Sequence, residues 1–137
     1  MSAEAEVPPD ALVIRFKPMD ADRCLKRLDQ DHRDTGYYCL SVFADTPRSG
    51  ESEDQLRHRL LAASEMQGIL ASSNKAYYVC TRAENLLEQG FTFRKDDDGS
   101  MEVAEHYSVD FGPDAPTVED VNRFIKSFDP DPVRRPK

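Results

Sequence analysis

Two short runs constrain this chain more than anything else in it: YYCLSVFA from Tyr37 to Ala44 and AYYVC from Ala76 to Cys80. In an extended strand, alternate side chains point to opposite faces. In the first run Tyr38, Leu40, Val42 and Ala44 share one face, and Tyr37, Cys39, Ser41 and Phe43 share the other. Both faces are mostly apolar. Such a strand is stable only with cover on both sides, so both runs read as central strands of a sheet with helices packed on it.

The rest of the chain supplies those helices. Leu12, Ile14 and Phe16 alternate with Val13, Arg15 and Lys17 in a strand from Ala11 to Lys17. Asp20 caps a helix to about Gln30 with Cys24, Leu25 and Leu28 inward, and DHRDTG at 31–36 reads as a loop. Ser52 and Gln55 form a capping box for a helix to about Met66 that buries Leu56, Leu60 and Ala63. Thr81 and Glu84 suggest a second box for a short helix from Arg82 to Gln89, closed by Gly90. Phe91 to Lys95 and Met101 to Phe111 read as a hairpin turning at DDDG. Thr117 caps a last helix with Val118, Val121, Phe124, Ile125 and Phe128 on one stripe.

The order β-α-β-α-β-α-β-β-α predicts an α/β domain. It implies a five-stranded mixed sheet with parallel crossovers, packed helices and a C-terminal hairpin plus helix. A two-layer α+β sandwich is the alternative. Residues 11–128 form the expected globular unit. The Glu/Ala/Pro-rich stretch 1–10 and the Pro-rich, basic-ended tail 129–137 are expected to be disordered.

Bulk charge narrows the function classes. The net charge is −8 over 137 residues, which gives no electrostatic basis for general nucleic-acid binding or for docking on an anionic membrane. It favours a protein partner with a basic surface. Cys24, Cys39 and Cys80 are widely spaced and odd in number, and no secretory signal is apparent, so free thiols in a reducing cytoplasm are expected. No apolar run approaches the roughly 18 residues of a membrane span.

Glu105 is the residue most at odds with its surroundings. From Met101 to Phe111 the odd positions are apolar except for this one carboxylate. A lone acid on a core-facing row must be paired, be neutral or face a cleft. Its neighbour His106 points to the other face and cannot join it directly. Lys95 across the hairpin, Arg82 or a tyrosine are the available partners. Tyr38, Tyr78 and His106 are the other groups that could serve a catalytic site. Arg48 and Arg82 follow the two buried strands, where open α/β sheets bind ligands, and could hold an anion.

Other motifs carry little. His32-Arg33-Asp34 matches the HRD triplet of protein kinases, but Cys39 stands where that loop needs Asn, and neither a glycine-rich loop nor DFG is present. Asp96, Asp97 and Asp98 lack the alternating ligand positions of a calcium loop. His32, His58 and His106 show no zinc spacing. No cofactor or metal is implied.

Two readings from different classes follow. The first is a non-catalytic, acidic, intracellular interaction domain: an accessory subunit, an adaptor or an inhibitor or immunity-type protein binding a basic partner. The second is a small enzyme acting on a phosphate- or nucleotide-containing ligand, with Arg48 and Arg82 as anion holders and Glu105 as acid or base. The second requires these groups to converge in one concavity.

Overall fold

The computed structural model describes residues 2–16, 19–66, 77–96 and 104–134. The elements in chain order are β1 (Ser2–Ala5), β2 (Leu12–Phe16), α1 (Ala21–Thr35), β3 (Cys39–Asp45), α2 (Glu53–Met66), β4 (Tyr77–Arg82), α3 (Ala83–Glu88), β5 (Thr92–Asp96), β6 (His106–Asp110), α4 (Val118–Lys126) and β7 (Val133–Arg134). The strands form one sheet in the order β1-β5-β6-β3-β2-β4-β7. Six have four residues or more, and β7 has two.

The α/β character expected from the sequence is present, but the mixed five-stranded sheet is not. Every neighbouring pair is antiparallel. Alternation of elements says that a helix separates two strands. It does not say at which edge of the sheet the connection returns. Here α1 leads from β2 to its immediate neighbour β3 with the direction reversed. The two extra strands, β1 and β7, come from the stretches 1–10 and 129–137, for which composition predicted no element.

Cover on both faces follows the side-chain alternation. In β2 the successive residues Leu12, Val13 and Ile14 are 2%, 0% and 0% exposed. Val13, with Leu40, Val42, Val79 and Val109, packs against Cys24 and Leu28 of α1, Leu86 of α3 and Phe124 of α4. Leu12, Ile14 and Phe16, with Phe43 and Tyr78, pack against Leu56, Leu60 and Ala63 of α2. The architecture is therefore three layers, not the two-layer sandwich. Burial of this kind contributes about 25 cal/mol for each Å² of apolar surface removed from water. YYCLSVFA supplies the central β3. AYYVC does not supply a central strand: β4 is next to the edge, bordered by β7 over Tyr77 and Tyr78, and the Asp129 N–H donates to the Cys80 carbonyl at 2.8 Å.

Local chemistry explains the element ends. Asp20 caps α1 through the Arg23 N–H as expected, but the helix runs on to Thr35. Pairs at i,i+4 carry it through the polar stretch: Arg27–Asp31 at 3.2 Å and Arg33–Asp29 at 3.3 Å. Gly36 ends it at φ 85, where a side chain would be strained. His32-Arg33-Asp34 thus lies in a last helical turn, not a loop. The Ser52–Gln55 and Thr117–Asp120 capping boxes both form. The Thr81–Glu84 box does not, because Thr81 belongs to β4 and Arg82 takes the N-cap position with no side-chain hydrogen bond. Val118 is 53% exposed and falls outside the α4 stripe. Phe93 pairs with Val109 across the expected hairpin, but Asp97, Asp98, Gly99, Met101 and Val103 lie outside the described residues.

Candidate functional site

Helix α2 lies on the sheet through Leu56 and Leu60, both fully buried. Arg57 and Arg59 sit between these anchors. At about 100° per residue, two positions two apart leave a helix on nearly opposite sides. Arg59 therefore reaches toward β3 and β6, and Arg57 toward β4. Each arrives at a different polar site at the same end of the sheet. Leu12 of β2 separates the two, paired with Asp45 on one side and Arg82 on the other.

The first site is a cluster of three carboxylates around Arg59. Its Nη1 lies 2.6 Å from Asp45 Oδ2. Its Nε and Nη2 donate to the two oxygens of Glu51 at 3.0 and 2.9 Å, a two-pronged arrangement that matches the guanidinium fork to the carboxylate. Nη2 also donates to the Thr46 carbonyl at 3.0 Å. Glu105 Oε1 lies 3.7 Å from Nη1. The side chains of Arg59, Glu51 and Glu105 are each 14% exposed, whereas Asp45 is 41% exposed. Hydrogen bonds from Arg59 and from the Arg48 backbone N–H pull the Glu51 carboxyl down to about 2. The hydrogen bonds of Arg59 to Glu51 first, and to Asp45, raise its guanidinium in turn. Three acids on one base leave a net negative site whose geometry is fixed.

Glu105 thus has a partner that sequence reasoning missed. Lys95 donates instead to the Ala104 and His106 carbonyls at 2.6 and 2.7 Å and lies 4.4 Å from the Tyr107 ring centre. Glu105 sits in the turn before β6, not in the strand, so the alternation rule does not govern its direction. No local signal ties it to Arg59, which comes from a helix far earlier in the chain.

The remaining candidates are scattered. Tyr38 packs on the α1 side of the sheet and stacks on His32 at 4.0 Å, whereas Tyr78 packs under α2, so the two cannot share a pocket. Burial pushes the Tyr78 phenol up. His106 is buried against Phe43, with Nε2 3.1 Å from the Ser41 hydroxyl. Arg48 is exposed, and its backbone N–H serves Glu51.

Arg82 does reach a concavity, the second site. This open cleft of about 500 Å³ is lined by Arg57, Arg82, Glu53, Cys80, Asn85 and Asp129, among others. Arg82 is ion-paired with Glu53, and its Nη1 donates to the Asp10 carbonyl at 3.4 Å. Arg57 Nη2 approaches the other Glu53 oxygen at only 3.9 Å. Among the described residues Arg57 makes no hydrogen bond, and its Nε is shut off from solvent without an acceptor. Asn85 is held by the Thr81 hydroxyl at 3.0 Å. The Cys80 thiol is pushed up by burial, so it is not an activated nucleophile, and none of Cys24, Cys39 and Cys80 forms a disulfide among the described residues. Neither Arg48 nor Glu105 lines this cleft, so the residues of the enzymatic reading do not meet in it.

Comparisons with models of protein families, with curated proteins and with solved structures find no match. Among the described residues no group of three His, Cys, Asp or Glu is placed to hold a metal ion, and no helix is long and apolar enough to cross a membrane.

Proposed function

We propose that this protein is a non-catalytic, acidic interaction domain that binds a partner with a basic surface. The observation that carries the reading is the Asp45–Glu51–Glu105 cluster. One guanidinium holds three carboxylates in place while neutralising one charge, and Asp45 remains 41% exposed. A fixed excess of negative charge needs little ordering on binding, and it steers a basic surface toward it. The net charge of −8 adds long-range attraction of the same sign. The kinds of protein that fit are an accessory subunit, an adaptor, or an inhibitor or immunity-type protein, acting inside the cell.

The test is affinity capture from native lysate at low and at high salt, with wild type and with Asp45→Asn as bait. The expected result is a partner of basic composition that wild type retains at low salt and loses at high salt. Asp45→Asn retains it less. If both baits retain the same proteins at both salt concentrations, the reading fails.

A further inference from the structure

We infer that the cleft between α2 and β4 is a binding site for a small ligand with an oxyanion head, held by Arg57 and Arg82 and guarded by Glu53. The acidic cluster plays no part in this inference. Three features support it. Two arginines from different elements converge on the two oxygens of one carboxylate, Glu53. A carboxylate or phosphate from outside would meet the same pair of guanidinium forks, and such forks suit planar or tetrahedral oxyanions.

Arg57 is also unspent. It has no hydrogen bond among the described residues, and its Nε is desolvated without an acceptor. Buried donors are normally satisfied, and no protein hydrogen bond among the described residues holds the Arg57 guanidinium in place. Finally, the space suits a small molecule. About 500 Å³ lies within the range of small-ligand sites, and the Asn85 side chain stands in its wall.

Glu53 is the internal competitor. Its side chain is 46% exposed, so a change of rotamer withdraws it into water. That change leaves Arg57 and Arg82 against the single acid Asp129 on the cleft wall. The cleft then has a local positive excess in a protein of net charge −8. Arg123 and Lys126 line a separate concavity, so it is the loss of binding in the Arg57 and Arg82 variants that assigns the anion to this cleft.

Isothermal titration at low ionic strength with inorganic phosphate, pyrophosphate and malonate tests the assignment. Pyrophosphate should bind saturably, with one site per chain. Arg57→Met and Arg82→Met should each weaken it by about tenfold or more, the effect of losing a charge-assisted hydrogen bond. Glu53→Gln should tighten it by about threefold to tenfold, because it removes the competing charge. An unfolded variant cannot mimic a gain, so Glu53→Gln guards the test against misfolding. Preference for the phosphates over malonate identifies a phosphoryl head, and the reverse a carboxylate. Absence of saturable binding by both wild type and Glu53→Gln overturns the inference. So does binding that both arginine variants leave unchanged.

Discussion

Arg57 and Arg59 leave the same helix two residues apart and meet opposite fates. Arg59 reaches three carboxylates and a carbonyl, and most of its donors are used. Arg57 reaches one distant carboxylate and hydrogen-bonds to nothing among the described residues. Leu56 and Leu60 fix the helix between them. The contrast shows that residue type alone does not assign a role. What decides is how many opposite charges the fold brings within reach. The Arg59 side is closed and net acidic; the Arg57 side is open and unsatisfied.

The largest expected effect lies on the closed side. Arg59→Met leaves Asp45, Glu51 and Glu105 facing one another without their base. Breaking this part-buried network should cost about 2 kcal/mol, less than a fully buried one because Asp45 is 41% exposed, read as a lower midpoint in urea denaturation. Next comes Glu105→Gln. Its contact is an ion pair and the longest of the cluster, at 3.7 Å, so no more than about 1 kcal/mol is expected. If Glu105→Gln cost as much as Arg59→Met, Glu105 would be the centre of the cluster and the account of Arg59 would be wrong.

Acid titration sharpens the same side. The Glu51 carboxyl titrates at about 2 in the folded chain, against an ordinary value of 4.5. A lowered folded value means that stabilisation is complete above the ordinary value and is lost as pH falls through the folded one. Stability should therefore decline as pH falls from about 4.5 toward 2, and Glu51→Gln should flatten that decline. The smallest effect belongs to the open side. Arg57→Met removes no hydrogen bond, so its stability should stay within about 0.5 kcal/mol of wild type.

Much of the fold was legible in the chain. Period-two alternation located β2, β3 and β6, and three capping residues, Asp20, Ser52 and Thr117, marked helix starts correctly. Strand direction was not legible, because alternation of elements is the same whether a connection returns to one edge or crosses to the other. The end of α1 was misplaced because DHRDTG has loop composition, while its i,i+4 charge pairs favour helix. At the site, Arg82 was identified beside a buried strand. Arg57 and Arg59 were not, since both lie in a charged helix where nothing in the sequence separates them from solvated residues. Only the approach of Asp45, Glu51 and Glu105 to Arg59, and of Arg82 to the Glu53 beside Arg57, distinguishes the two.

The most direct test follows the side-chain Nε–Hε resonances of both arginines by ¹⁵N NMR as pyrophosphate is added to the wild-type protein. The account predicts that the Arg57 resonance moves saturably while that of Arg59, locked to Glu51, stays in place. Movement of Arg59, or parallel drift of both without saturation, would contradict it.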